Sequence, residues 1–316
     1  MIDRNGAPRE TRRATRAAAV RGRRRRTGVV GAALVVVLVV IAIPAIVRAI
    51  SATAVDLPPT TDSLPVPQIS QASASASICD DPDVQTALAA GDDEAVITAA
   101  GGGEVFREAV VDGTASCISL SDADRRWVVV NKARPLDPID FAPSTLVAFS
   151  EVTSLNGGSL GQEAMTALIA LAEGAESAGV GEIASLSSYR SYATQQSTYA
   201  EHVSADGTTA ADLESARAGY SEHQTGLALD LVACDSSCGG LDEFGASAQG
   251  QWVAQNAWQY GFIVRYEDGY TDITGYKAEP WHLRFIGVQL AQAYHDGGFH
   301  TLEDFFGLSA APDYVD

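Results

Sequence analysis

The chain has 316 residues, of which 46% are hydrophobic and 12 are proline, a composition typical of a globular protein rather than a disordered one. Its charge is divided, because residues 1–48 carry eleven Arg and two acids whereas the remainder carries 38 acids and ten Lys or Arg. The acidic remainder lacks the positive excess that phosphate backbones require, which argues against a nucleic-acid partner.

A long apolar segment lies between the basic and acidic parts. Residues 28–47, "GVVGAALVVVLVVIAIPAIV", contain twenty residues without a charge. At a rise of about 1.5 Å per residue, such a helix crosses a hydrocarbon core of roughly 30 Å. The basic "RGRRRR" before it indicates a cytoplasmic N-terminus. We therefore predict a cytoplasmic basic tail over residues 1–27 and a transmembrane helix over residues 28–48, with the rest of the chain outside the cell membrane.

A cleaved signal peptide is the alternative to this single-pass anchor. Ala52 and Ala54 could form a small-residue cleavage site. The apolar region of a signal peptide is only about 7 to 15 residues long, however, so the anchor is favoured.

The segment after the predicted span is rich in Pro, Ser, Thr and Ala. This composition, without hydrophobic periodicity, predicts a flexible linker over residues 49–77. Residues 78–124 contain two cysteines and short helical patterns, and we interpret them as a small N-terminal subdomain. A main domain over residues 125–309 and a C-terminal tail over residues 310–316 complete the chain.

Four cysteines follow the predicted span: Cys79, Cys117, Cys234 and Cys238. An even number in an oxidising compartment indicates two disulfides. The sequence does not determine the pairing, although separation favours Cys79 with Cys117 and Cys234 with Cys238. A metal site made of the four thiolates is the weaker alternative.

The main domain reads as a mixture of strands and helices, without an internal repeat. The apolar positions Ala164, Leu168, Leu171 and Ala175 have helical spacing, and Gly179 supplies a stop. "EIASLSS" predicts a strand and "YATQQSTYAEHV" a helix. The other predicted elements are strands at 127–130, 226–232, 262–265 and 281–285, and helices at 248–260 and around Leu290. The fold class is therefore α+β.

The stretch "SEHQTGLALDL" carries a candidate metal ligand on a predicted strand. Strand periodicity places Leu227, Leu229 and Leu231 on one face and Asp230 on the other, among small residues. His223 lies in the loop where this strand begins. The small neighbours leave room for an ion above Asp230.

The stretch "EPWHLRF" carries a second candidate group. Pro280 argues against a helix, and strand alternation separates the apolar Trp281 and Leu283 from His282. Two His and one carboxylate, with one position left for water, are the ligands of a catalytic zinc site. Such a site lowers the pKa of water to about 7, and a neighbouring carboxylate can accept its proton as a carbonyl is attacked. Glu279 is the candidate for that base.

These two stretches together resemble the VanY-type zinc D-alanyl-D-alanine carboxypeptidases, which belong to the LAS peptidases. The family pattern SxHxxGxAxD matches residues 221–230, and ExWH matches residues 279–282. The segments "VVVNKARPLDPIDFAP", "YRSYATQ", "NAWQYGFIVRY" and "ITGYKAEPWH" also resemble sequences of this family, so the resemblance covers about residues 128–308.

The resemblance implies a small antiparallel sheet with flanking helices and one Zn²⁺ per domain. It implies that His223, Asp230 and His282 bind this ion and that Glu279 is general base and then acid. Arg190 would oppose the negative charge that develops at the substrate. Ser221 and Gln195 would bind the terminal residue of the substrate.

The remaining histidines are expected to be structural. His202, His295 and His300 lie on predicted helical or terminal segments without metal-ligand context, so we expect solvent exposure rather than coordination.

The sequence thus predicts a membrane-anchored zinc carboxypeptidase whose partner is a peptidoglycan stem peptide ending in D-alanine. An L,D-carboxypeptidase or a peptidoglycan endopeptidase is the alternative within the same fold, because the ligands do not separate these activities. A non-catalytic module that binds or regulates the wall is the alternative of another class, and the intact Glu279 argues against it.

Overall fold

The structure, a computed structural model, describes residues 77–315. The predicted basic tail, the predicted transmembrane helix and all but the last residue of the predicted linker lie outside this range. Within residues 77–315, no helix combines the length and the apolar character needed to cross a membrane.

Two antiparallel sheets form the β part of the molecule. The central sheet has four strands in the order β3-β4-β6-β5, and the other sheet pairs β1 with β2. The strands are β1 Val147–Ala148, β2 Ser159–Leu160, β3 Glu182–Ser187, β4 Ala228–Cys234, β5 Phe262–Tyr266 and β6 Glu279–Phe285. The predicted small antiparallel sheet is confirmed.

Helices surround the central sheet, which confirms the α+β class. The α-helices are Pro82–Ala90, Asp93–Ala99, Gly103–Val111, Gln162–Ser177, Tyr192–Asp206, Thr208–Glu214, Leu241–Phe244, Ala248–Asn256, Thr271–Thr274, Val288–Asp296 and Leu302–Phe305. Single 3-10 turns are Ile78–Asp80, Glu222–Thr225 and Ala257–Tyr260.

One face of the central sheet is covered by the helix Gln162–Ser177. The four residues predicted to face the core from this helix are all fully buried. They belong to the same apolar cluster as Leu229 and Leu231 of β4 and Leu283 and Phe285 of β6. The alternation predicted for both strands is therefore confirmed, and it leaves the side chains of the intervening residues on the opposite face.

A second apolar cluster joins the N-terminal helices to the C-terminal ones. Val84, Ile97 and Phe106 share it with Leu290 and Phe305. Residues 78–124, predicted as a small subdomain, therefore share their core with the main domain.

The strand predicted at residues 127–130 is wrong. These residues are buried, but they run as irregular backbone beside the sheet. The carbonyl of Val128 accepts a hydrogen bond from Arg284 at 2.8 Å, and the amide of Val129 donates to the carbonyl of Leu120 at 2.9 Å. The backbone groups of this apolar run are thus satisfied by a side chain and a turn, so no neighbouring strand is needed.

The strand predicted to start at residue 226 begins two residues later. Gly226 has φ +71° and ends the 3-10 turn Glu222–Thr225, so β4 starts only at Ala228. A residue with a side chain would be strained in this left-handed conformation.

The two disulfides pair as sequence separation favours. Cys79 bonds to Cys117 and Cys234 bonds to Cys238, and no cysteine is free. The alternative of a four-thiolate metal site is therefore wrong, since a disulfide sulfur carries no thiolate charge.

Candidate metal centre and active site

The register of β4 and β6 brings two of the predicted ligands together. Asp230 on β4 lies directly opposite His282 on β6. Residues that face each other across antiparallel strands project to the same side of the sheet, with Cβ atoms about 5 Å apart. Both side chains therefore stand on the face opposite the helix Gln162–Ser177, and both are buried.

His223 reaches the same place from the 3-10 turn that precedes β4. Its ring stands edge-on to that of His282, with ring centroids 4.9 Å apart and an interplanar angle of 89°. Its Nδ1 lies 2.7 Å from the carbonyl oxygen of Ser188. A carbonyl only accepts hydrogen bonds, so Nδ1 carries the proton and a neutral ring leaves the lone pair of Nε2 free.

The three side chains form a group that fits a metal ion. One ligand atom from each of His223, Asp230 and His282 lies within 4.8 Å of the others. The Asp230 carboxylate is 3.3 Å from His223 Nε2 and 3.2 Å from His282 Nδ1. His223 Nε2 and Asp230 Oδ1 are buried and have no hydrogen-bond partner among residues 77–315. Orphaned buried polar atoms are costly, and a cation bound among them would satisfy both.

The charge states of His223 and Asp230 also suit a metal. His282 differs, because burial acts to lower its pKa but the hydrogen bonds to Asp230 and Glu222 raise it to about 9. Burial, with the charge of Arg190, lowers the pKa of His223 to about 4. Burial opposes ionisation of Asp230, but His223 and His282 hold the pKa of its carboxyl well below the usual range. A neutral imidazole and an ionised carboxylate are the forms that bind metals.

Glu279 lies beside this group because of an irregularity in β6. Val264 pairs with Leu283, but Tyr266 pairs with Glu279, so β6 contains two residues more than β5 over this stretch. Such a bulge redirects side chains, and Pro280 within it cannot donate to a ladder. Glu279 thereby approaches His282, with its Oε2 3.4 Å from Nδ1. Without the bulge, Glu279 and His282 would lie on opposite faces of the sheet, because residues three positions apart in a regular strand do so.

Glu279 has the protonation behaviour of a general acid and base. Burial raises the pKa of its carboxyl to about 8, although His282 and Arg190 act in the opposite direction. A group with a pKa near neutrality can both accept and return a proton. Its place beside the three ligands agrees with the predicted role.

Arg190 faces the same space from the end of β3. Its backbone amide donates to the carbonyl of His223 at 3.2 Å, which ties the Arg190 segment to the ligand turn. Its Nε is buried, and no other described residue forms a hydrogen bond with it. Burial lowers the pKa of its guanidinium. The side chain therefore has hydrogen-bonding capacity left for a substrate.

A cavity of about 950 Å³ connects these groups. His223, Asp230, Glu279, His282 and Arg190 all line it, and it extends to a rim formed by His202, Glu214 and Lys277. Its volume is in the range of sites that enclose small ligands.

The two predicted substrate contacts are not among the residues lining this cavity. Ser221 is buried next to the turn that carries His223. Gln195 is fully buried, and its amide donates to the carbonyl of Ala216 at 2.6 Å. In this structure Gln195 thus supports the chain behind the cavity, and substrate contact by either residue stays a prediction.

Two of the three remaining histidines lie at the surface, as expected. His295 stacks on Trp258, and His300 bonds to Glu267 at 2.8 Å. His202 differs, because it lies with Asp206 and Glu214 in a second group whose ligand atoms are within 4.8 Å of each other. Glu214 is already paired with Lys277, and both acids of the group are exposed.

Glu222 is a site residue that the sequence reading missed. It is fully buried and lies 3.4 Å from His282 Nε2 through its Oε2. The available signal was an ionisable residue within the motif SxHxxGxAxD, next to His223, with Arg265 and Arg284 on predicted strands as possible partners. A buried carboxylate requires such partners.

Comparisons with known proteins agree with this geometry. Residues 157–288 match the family described as VanY, D-alanyl-D-alanine carboxypeptidase. The solved structure of the LdcB LD-carboxypeptidase, which reveals the basis of peptidoglycan recognition by that protein, is similar to this chain. The two have 36% sequence identity and a TM-score of 0.53, and the match covers 58% of this chain and 86% of that chain. The chain belongs to the VanY family.

Curated carboxypeptidases also match part of the chain. The putative carboxypeptidase YodJ of Bacillus subtilis is 42% identical over 115 residues, which are 36% of this chain and 42% of that protein. A D-alanyl-D-alanine carboxypeptidase of Enterococcus faecium is 39% identical over 88 residues, 28% of this chain and 27% of that protein. The matches thus span less than half the length of either relative.

Proposed function

We propose that this protein is a zinc-dependent carboxypeptidase that removes the terminal D-alanine from peptidoglycan stem peptides. The observation that carries the proposal is the convergence of His223, Asp230 and His282, with Glu279 beside them, in one cavity. Membership of the VanY family supports the reaction class.

The residues of the cavity divide the reaction among them. When bound by the three ligands, zinc supplies Lewis-acid polarisation of the scissile carbonyl and a lowered pKa for water. Glu279 accepts the proton of the attacking water and returns it to the leaving amine. Arg190 directs its unsatisfied hydrogen-bonding groups toward the oxygen on which negative charge develops.

The bond that is cut is proposed to join two D-alanines. The description of the family supports this D,D specificity. The likeness to the LdcB LD-carboxypeptidase favours an L,D bond as the second candidate. Both activities use the same ligands and base, so the shape of the cavity around Arg190 separates them.

Mass spectrometry of products from defined muropeptides tests the proposal. The full chain is incubated with zinc and a stem pentapeptide, a tetrapeptide or a crosslinked dimer. Loss of one alanine from the pentapeptide alone supports the D,D-carboxypeptidase, and loss from the tetrapeptide alone supports the L,D-carboxypeptidase. Cleavage of the dimer indicates an endopeptidase, whereas binding without any product indicates a non-catalytic wall-binding module.

We also propose that the enzyme is anchored in the cell membrane with its catalytic domain outside. The apolar segment 28–47 and the preceding Arg cluster support this topology. The two disulfides agree with an oxidising compartment. Fractionation of cells tests the anchor: the intact chain is expected in the membrane fraction, and a shortened chain in the medium would indicate a cleaved signal peptide.

A further inference from the structure

The carboxylate of Glu222 connects a ligand of the metal centre to a buried ionic network. Its Oε1 accepts hydrogen bonds from Arg265 Nε and Arg284 Nη1, each at 2.9 Å. Its Oε2 lies 3.4 Å from Nε2 of His282. All these side chains are at most 5% exposed.

The positive and negative charges of the network that contains Glu222 balance each other. Arg265 donates two hydrogen bonds to the carboxylate of Glu303, at 3.0 and 2.7 Å. Arg284 also donates to the backbone carbonyls of residues 126 and 128, at 3.1 and 2.8 Å. Two guanidiniums and two carboxylates thus balance, and Glu222 is held in place without using Oε2. That oxygen is available to accept a hydrogen bond from His282.

The surroundings of His282 create a choice between two tautomers. Nδ1, the nitrogen that faces the other ligands, lies 3.2 Å from Asp230 Oδ1 and 3.4 Å from Glu279 Oε2. Both acids would attract a proton to Nδ1 and so block it as a metal ligand. A neutral imidazole carries a proton on only one nitrogen, and the hydrogen bond of the other nitrogen decides which. Glu222, on the Nε2 side, opposes the pull of both acids.

We propose that Glu222 is a positioning residue that holds the proton of His282 on Nε2, so that Nδ1 presents its lone pair to the metal ion. The arrangement complements that of His223, whose proton is held on Nδ1 by the Ser188 carbonyl. A carboxylate behind a metal-binding histidine increases the basicity of that ligand and fixes its ring. The proposal rests on the proposed function insofar as the three ligands bind zinc.

Glu222→Gln tests this role because it inverts the hydrogen bond. The two arginines still require an acceptor and take the amide oxygen, which leaves the amide NH₂ facing His282. That group donates, so the proton of His282 moves to Nδ1. We expect the zinc dissociation constant, measured by chelator competition, to rise about 10- to 100-fold. The visible absorption spectrum of the cobalt(II)-substituted protein is expected to change with it.

Glu303→Gln is the matched control. It removes one negative charge from the same network and disturbs the same Arg265, but the side-chain hydrogen bonds of Glu303 within residues 77–315 go to Arg265 and Asn131 and not to His282. We expect its zinc dissociation constant and its cobalt spectrum to equal those of the parent. Equal weakening in both variants would mean that Glu222 only stabilises the fold, and would overturn the proposal.

A measurement on the unsubstituted chain covers the case in which Glu222→Gln does not fold. Nuclear magnetic resonance of the zinc-loaded protein with isotope-labelled histidine reports which nitrogen of each ring carries the proton. We expect His282 to carry it on Nε2, and a proton on Nδ1 would overturn the proposal. If the parent chain binds no zinc, the proposed function fails as well, whereas zinc binding with the opposite tautomer refutes this inference alone.

Discussion

At the scale of single residues, the site combines side chains whose burial would be unfavourable separately. His223, Asp230 and His282 are each at most 7% exposed, and two of their polar atoms have no partner within the described residues 77–315. Unsatisfied buried groups cost about 1 to 3 kcal/mol each. Such a cost is retained where a ligand relieves it. We therefore expect the three side chains to bind a metal ion, which would satisfy the polar atoms that the surrounding protein leaves without a partner.

The role of Glu279 is tested by Glu279→Ala. The carboxylate is beside the ligands but is not one of the three, so zinc content is expected to stay near one ion per chain. Hydrolysis is expected to fall by about 10²- to 10⁴-fold or more because no group accepts the proton of water. Metal analysis and release of D-alanine measure the two effects, and unchanged turnover would refute the role as base.

His282→Ala is expected to abolish zinc binding itself, whereas Glu279→Ala is expected to keep zinc and lose only hydrolysis. We expect the zinc content to be lost, since one of three protein ligands is removed. Chelation of the parent enzyme is expected to lower its melting temperature, because an ion that binds only the folded state contributes about 2.7 kcal/mol at a hundred times its dissociation constant. His295→Ala, at an exposed ring, is the control that should retain zinc. Full metal content in His282→Ala would contradict the ligand assignment.

At the scale of elements, the register of the central strands determines the site. Asp230 pairs with His282, and Leu229 pairs with Leu283 on the other face. A slip of one residue would exchange these faces, placing charged groups in the apolar cluster under the helix Gln162–Ser177. Burial of Leu229, Leu231, Leu283 and Phe285 therefore also fixes the positions of the predicted metal ligands Asp230 and His282.

The helix Gly103–Val111 depends on a close approach to the helix Val288–Asp296. A Cβ atom at Gly103 would lie 2.2 Å from the carbonyl oxygen of Gln289. Gly103→Ala is expected to lower the free energy of unfolding by about 1 to 3 kcal/mol, as overpacking generally does. Chemical denaturation measures this loss.

Gly240→Ala is the control for that substitution. A Cβ at Gly240 would meet its nearest neighbour at 3.9 Å, and the backbone φ is −90°, which any residue adopts. We expect a change within about 0.5 kcal/mol. Equal losses in the two variants would show that the contact between the two helices does not constrain residue 103.

At the scale of the whole molecule, the N-terminal helices and the catalytic region form one folded unit. Phe106 packs on Trp127, with ring centroids 5.0 Å apart, within the cluster that also contains Leu290 and Phe305. The first disulfide closes this part of the chain, from Cys79 to Cys117. The helices before residue 125 are therefore expected to stabilise the domain that carries the metal ligands.

The two disulfides are predicted to contribute unequally to stability. The bridge from Cys79 to Cys117 spans 38 residues, and that from Cys234 to Cys238 spans 4. In the chain-entropy account, replacing both cysteines by Ala costs about 4 kcal/mol for the long loop and about 2 kcal/mol for the short one. Denaturation of both double variants measures the difference, and a larger loss from the short loop would contradict the entropic account.

The sequence by itself determined which residues could form the metal centre and on which face of their strands Asp230 and His282 stand. His223, Asp230, Glu279 and His282 could be named because ligand types and strand alternation are local properties of the chain, whereas Arg190 was implied only by the family resemblance. The buried face of the helix Gln162–Ser177 followed from spacing in the same way. The run at residues 127–130 shows the limit: its apolar residues are buried as expected, but Arg284, distant in sequence, donates to the carbonyl of Val128 in place of a neighbouring strand.

Only the tertiary structure decided which nitrogen of each histidine is free, how Glu279 reaches His282, and what holds Glu222. The first depends on a carbonyl and a carboxylate from other turns of the chain, and the second on two extra residues in β6. The third depends on Arg265 and Arg284 meeting Glu222 across more than 40 residues. The local sequence pattern does not reveal such pairings, because hydrogen bonds between groups distant in sequence form only after the strands have taken their register.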